Sequence, residues 1–119
     1  MKLKASQDYA LSMICYLARI NGIASSREIA EAEAVPRDYL IQIAQELRYA
    51  GIIADKPGNH SGYLLAKPAD EISVFDVLFA ADQNTIDRFS GHEARKVEML
   101  VNRTLREVSI DDLIGGCEL

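Results

Sequence analysis

A mainly α-helical fold with one small β-hairpin is what this sequence predicts, and three observations predict it. Most of the chain carries apolar residues at helical spacing. Two short strand-like runs flank a loop of turn formers between residues 52 and 66. The 119 residues, 49% hydrophobic and 26% charged, suit one globular domain able to bury a core without disulfides.

The elements follow in order. Ser6 or Gln7 opens a first helix to about Ile20, with Leu11, Ile14, Cys15 and Ala18 as its buried stripe and Asn21-Gly22 as its end. Ser25-Ser26-Arg27-Glu28 has the form of a capping box for a short second helix to about Glu33, burying Ile29 and Ala30. Ala34-Val35 turns into Pro36, which suits a first helical position because its missing N–H costs nothing there. In the third helix Leu40, Ile43, Ala44, Leu47 and Ala50 face the core, and Gly51 ends it with positive φ. Its outward arc holds Asp38, Gln42, Gln45 and Tyr49, edged by Arg37, Ile41 and Arg48, where a merely solvated helix would carry Lys and Glu.

Ile52-Ile53-Ala54 and Tyr63-Leu64-Leu65-Ala66 then form a hairpin around Lys56-Pro57-Gly58-Asn59-His60-Ser61-Gly62. A further helix starts at Ser73 and buries Val74, Val77, Leu78 and Ala81, and residues 82–91 form a polar loop. A longer helix from about His92 to Val108 has the narrow seam Ala94, Val97, Val101, Leu105 and Val108, which suits pairing with a second subunit. Ser109 caps a last short helix closed by Gly115-Gly116. Two helices joined by a tight turn and followed by a hairpin describe a winged helix-turn-helix, here extended by a long C-terminal dimerisation helix. The expected organisation is residues 1–81 as the winged domain and 82–119 as loop, dimerisation helix and closing helix, in one compact unit.

Composition limits the function. No apolar run approaches the ~20 residues that span a membrane, and Asp8 and Tyr9 interrupt the basic opening before a signal peptide can develop. Only two cysteines occur, Cys15 and Cys117, at opposite ends and without metal-ligand spacing, so a reducing cytoplasm is expected. There is no Gly-rich phosphate loop, His-Glu-x-x-His or nucleophile elbow, and no enzyme is expected. The net charge of −5 is unevenly placed. Residues 1–67 hold eight basic and seven acidic side chains, net +1, whereas 68–119 hold five and eleven, net −6. An acidic chain is a poor start for nucleic-acid binding, but a binding face needs only local positive potential.

DYALSMICYLA near the start, SREIAEAEAVPRDYLIQIAQELRYAGII, GYLLAKPADEISVFDVL and the final SIDDLI resemble the Rrf-type winged-helix transcription regulators, the IscR- and CymR-like group. The likeness covers about residues 1–81 and the closing helix. It implies a homodimer held by a long helix near the C-terminus, with paired recognition helices set into double-stranded DNA. Three departures stand out. Cluster-binding members carry three cysteines between the fourth helix and the dimer helix, and this chain has none there, so the usual iron–sulfur cluster is not expected. The wing reads Pro57-Gly58 where the family has Arg-Gly, and Ile41 replaces the family's Glu before Gln42.

Within that frame the N-terminal half of the third helix carries the chemistry of base reading. Gln42 suits adenine, Arg37 guanine and Asp38 a cytosine amino group, while Ile41 offers a thymine methyl only apolar contact. Tyr39, matching the family's tyrosine, would reach a phosphate or a thymine methyl. Phosphate contacts are expected from Lys4, from Ser26 and Arg27 at the start of helix two, and from Lys56, Asn59 and His60 in the wing. Arg48 is expected to be structural, pairing with Glu46, Asp55 or a wing carbonyl. The expected function is a DNA-binding regulator, a repressor on a palindromic operator. The alternatives are a winged-helix module that binds a regulatory protein, or a regulator with an atypical metal or redox ligand. For the last, Asp8, His92 and Cys117 are the donors on hand, although Cys15 reads as a core thiol and Cys117 as a terminal one.

Overall fold

Burial organises this chain around its first helix. The computed structural model describes residues 3–82 and 92–115. Residues 83–91 of the loop expected over 82–91, together with Gly116 and Cys117, lie outside the described residues. Helix α1 (Ala5–Ile20) packs against α2 (Ser26–Glu33), α3 (Arg37–Tyr49), α4 (Val74–Ala81), α6 (Ile110–Ile114) and strand β2 (Gly62–Leu65). A helix contacted from so many sides cannot keep a narrow buried stripe. The sequence predicts Leu11, Ile14, Cys15 and Ala18; the buried residues are Gln7, Ala10, Met13, Ile14, Cys15 and Leu17. Leu11 and Ala18 pack only at the margin of the core.

Buried Gln7 is satisfied at both ends of its amide. Its Oε1 accepts from the Lys4 backbone N–H at 3.1 Å, and its Nε2 donates to the Leu78 carbonyl at 3.3 Å, so one side chain caps α1 and ties it to α4. The helix therefore starts at Ala5, a residue earlier than its nearest polar capping candidate, Ser6, suggests.

The helix-turn-helix is built from local rules. Ser25 caps α2, its Oγ accepting from the Glu28 N–H at 3.1 Å. Ala34 closes α2 in the left-handed region at φ 54. Pro36 stands at the N-cap of α3 with extended ψ 128, so Arg37, not Pro36, is the first helical residue. Helix α3 buries Leu40, Ile43, Ala44 and Leu47 as expected. Ala50 is exposed instead, because the helix has already ended there. The Gly51 N–H donates to Arg48 O and the Ile52 N–H to Leu47 O, each at 3.0 Å, with Gly51 at φ +78.

Strand β1 (Ile53–Lys56) pairs antiparallel with β2, from Ile53 opposite Leu65 to Lys56 opposite Gly62. The hairpin is also fastened to the α1–α2 connection, where Ala24 and Tyr63 exchange backbone bonds of 3.1 and 2.8 Å. This close approach requires Gly62: a Cβ there would lie 2.6 Å from the Ala24 carbonyl oxygen.

After a 3₁₀ turn (Ala69–Glu71), Ser73 and Asp76 form a reciprocal capping box for α4. Helix α5 (His92–Glu107) contributes no buried residue. The chain then returns to the body. The Val74 N–H donates to Val108 O and the Ile110 N–H to Ile72 O, both at 2.8 Å, and Ile110 is fully buried beside α1. Ser109 and Asp112 cap α6 reciprocally.

Candidate nucleic-acid interface

The helix-turn-helix and the hairpin place their polar groups around one recess of about 430 Å³, lined by Ser25, Ser26, Arg37, Arg48, Lys56 and Tyr63 among others. The start of α2 forms one side, the start of α3 another, and the turn end of the hairpin the third. Arg37 sits at the first position of α3, exposed, with its Nε donating to the Ser26 Oγ at 3.2 Å. Asp38, Tyr39 and Gln42 are exposed on the same helix, and Ile41 is half-buried. Tyr39 is held from behind: its ring meets Tyr9 of α1 edge-on, centroids 5.3 Å apart.

The expected cations divide into two groups. Lys4 forms an ion pair with Asp82, Arg27 one with Glu31 at 3.8 Å, and Arg48 one with Asp55. Arg37 and Lys56 have no ion pair among the described residues, so the positive charge at the recess comes from these two without an acidic partner. The Arg48–Asp55 pair bridges the end of α3 to β1, the bracing role the sequence assigns to Arg48. Asn59 and His60 are exposed in the hairpin turn, where Gly58 adopts φ +114. Tyr63 and Ser25 line the recess without having been singled out as site residues. Its place at the start of the second strand-like run is the only signal the sequence offers for Tyr63. Burial pushes its phenol above the usual range, the Asp55 carboxylate adds to this, and Arg48 and Arg37 oppose it.

A second surface lies on α5. Leu105 and Val108 lean on the core, and the Arg106 guanidinium sits 4.1 Å from the Phe75 ring centroid, itself stacked on Phe79. Farther toward the N-terminus of α5, Val97 is 57% exposed and Leu100 60%. Val97, Leu100, Val101, Thr104 and Leu105 line a shallow, mostly apolar hollow of about 330 Å³. Leu100 is the residue the predicted seam omits. Ala94 at the other end of the seam is half-buried.

Metal chemistry finds little to work with. No group of three or more His, Cys, Asp or Glu side chains gathers among the described residues, Asp8 and His92 included, and Cys117 lies outside them. The three-cysteine cluster set does not fit this chain: residues 82–91 contain no cysteine. Cys15 is buried in α1, and that burial raises its thiol pKa.

Comparison with known proteins agrees with this architecture. Residues 3–108 match the family model described as Rrf2, iron-dependent transcriptional regulator. Protein aau3 of Rhizobium meliloti is 40% identical over 80 residues, covering 66% of this chain and 51% of that protein. The chain thus spans about half the length of the first curated relatives it matches. The HTH-type transcriptional regulator IscR of Photorhabdus laumondii is 27% identical over 135 aligned positions, covering all of this chain and 82% of that one. CymR, the global cysteine regulator of B. subtilis, superposes with a TM-score of 0.87 over 99% of both chains at 22% identity, a likeness of fold. No helix among the described residues is long and apolar enough to cross a membrane. The chain belongs to the Rrf2 family of winged-helix transcription regulators.

Proposed function

We propose that this regulator acts as a cytoplasmic homodimer that binds a palindromic operator in double-stranded DNA and represses transcription by occupying it. One observation carries the reading. Helix α3 is anchored by Leu40, Ile43, Ala44 and Leu47, all buried, while Arg37, Asp38 and Gln42 stand exposed at its N-terminal half, and Arg37 shares its recess with Lys56, neither having an ion pair among the described residues. Inserted into a major groove, Gln42 would engage adenine, Arg37 guanine and Asp38 a cytosine amino group, with Ile41 against a thymine methyl. Tyr39, Arg27, Lys56, Asn59, His60 and Lys4 would contact the backbone and position the helix. Residues 1–81 form the DNA-reading part. Residues 82–119 carry the second subunit on Ala94, Val97, Val101, Leu105 and Val108, joined by Leu100. The iron–sulfur cluster has no place in this scheme.

Selection from a randomised DNA pool tests it. The wild type should recover a two-fold symmetric site, and Arg37→Ala or Gln42→Ala should each lose on the order of 1–3 kcal/mol of discrimination at one base position per half-site. Unchanged preference in both variants would remove those residues from the reading.

The net charge of −6 over residues 68–119 favours a second reading, a module whose partner is another protein. Salt separates the two. Affinity for DNA falls steeply with added salt because phosphate neutralisation releases counterions; a flat response, or no DNA binding, selects the module.

A further inference from the structure

We infer that Ser26 is a positioning residue for base reading: it fixes the Arg37 guanidinium so that its terminal edge faces the DNA. The inference rests on the DNA-reading role of α3 proposed above. It starts from one bond that joins the two helices of the motif, eleven residues apart, with Arg37 Nε donating to Ser26 Oγ at 3.2 Å.

The chemistry of the guanidinium gives that bond its consequence. Arginine has five N–H donors in a rigid fork, one on Nε and four on the two terminal nitrogens. An anchor at Nε takes up the side edge of the fork and leaves the end edge, Nη1 and Nη2, free. That end edge matches the two acceptors, O6 and N7, that guanine presents in the major groove. A free arginine at the first turn of an exposed helix samples many rotamers, and ordering them on binding costs affinity. Ser26 removes part of that cost beforehand.

The position is also suited to the task. Ser25, not Ser26, caps α2, so the Ser26 hydroxyl is not committed to holding its own helix. Arg37 has no acidic partner among the described residues that could draw its head elsewhere. The competing role for Ser26 is direct phosphate contact at the start of α2, and the two roles differ in what they predict. A phosphate contact weakens binding to all sequences alike and lowers the salt slope, whereas an aiming contact changes one base position and leaves the slope alone.

The experiment measures full-length protein on the selected operator and on operators substituted at each position, over a range of salt concentrations. Ser26→Ala should lower the preference for guanine at the Arg37 position by about fivefold, with other positions and the salt slope unchanged. Ser26→Thr, which keeps the hydroxyl, should retain the preference. In Arg37→Ala the further change Ser26→Ala should have no effect, because the group being aimed is gone. Uniform weakening of Ser26→Ala on every operator with a lower salt slope would overturn the inference in favour of phosphate contact. No change at all would also overturn it, as would an undiminished Ser26→Ala effect in the Arg37→Ala background. A wild type without selective, salt-dependent binding would sink both this inference and the DNA-reading role, which separates that failure from the others.

Discussion

Helices α1 and α5 are both sixteen residues long, yet they live under opposite conditions. Helix α1 is enclosed by four other helices and a strand, and even its one buried polar side chain, Gln7, has partners for both ends of its amide. Helix α5 has no fully buried residue: Leu105 only leans on the core, and Val97, Met99 and Leu100 stand exposed. The difference separates two uses of the same amphipathic pattern. One completes the fold of a single chain; the other leaves apolar area whose burial requires something outside it.

The largest break in that comparison should come at the centre. Leu17→Ala removes a fully buried side chain and should cost about 2–5 kcal/mol of folding free energy, read from denaturant or thermal unfolding. The matching change on α5 should leave subunit folding almost untouched and act on assembly. Leu100→Asp should weaken self-association by roughly 2 kcal/mol or more in sedimentation equilibrium, with the far-UV spectrum of the folded chain retained. Equal loss of folding in both variants would show that α5 is integral to the body. A smaller effect is expected at the hairpin. Gly62→Ala sets a methyl against the Ala24 carbonyl and should cost about 1–3 kcal/mol, loosening the wing from the body. The smallest belongs to Arg48→Ala. Its partner Asp55 and the guanidinium are both about half exposed, so unfolding should shift by no more than about 1 kcal/mol.

Cys15 sharpens the contrast in another way. Burial raises its thiol pKa, so at neutral pH the reactive thiolate is scarce as well as sheltered. Labelling of Cys15 in the native protein should be slow and should become fast on unfolding. Fast native labelling would mean that α1 opens readily and is not the fixed centre of the fold.

Much of this molecule was legible in short stretches. Caps at Ser25, Ser73 and Ser109 and the helix end at Gly51 are local bargains between neighbouring residues, and each stands where the local sequence places it. So does the exposed face of α3, because period and polarity are read along one element. The breadth of burial on α1 was not legible. Leu11 and Met13 have similar apolarity, and only the arrangement of five neighbours decides that Met13 is enclosed and Leu11 marginal. The end of α3 shows the same limit from the other side: Ala50 continues the apolar spacing, but the chain has turned before it can face inward.

The sequence by itself determined the winged helix-turn-helix order, the polar arc of α3 and the want of cysteines for a cluster, since these depend on residue type and spacing. Tertiary structure alone decided that Ser26 meets Arg37, that Arg48 takes Asp55, that Ala24 bonds to Tyr63 and that α5 keeps its apolar face uncovered. The physical reason is separation along the chain. A cap or a helical face is set by residues a turn or two apart, whereas which distant groups meet is fixed only when the whole core packs around them.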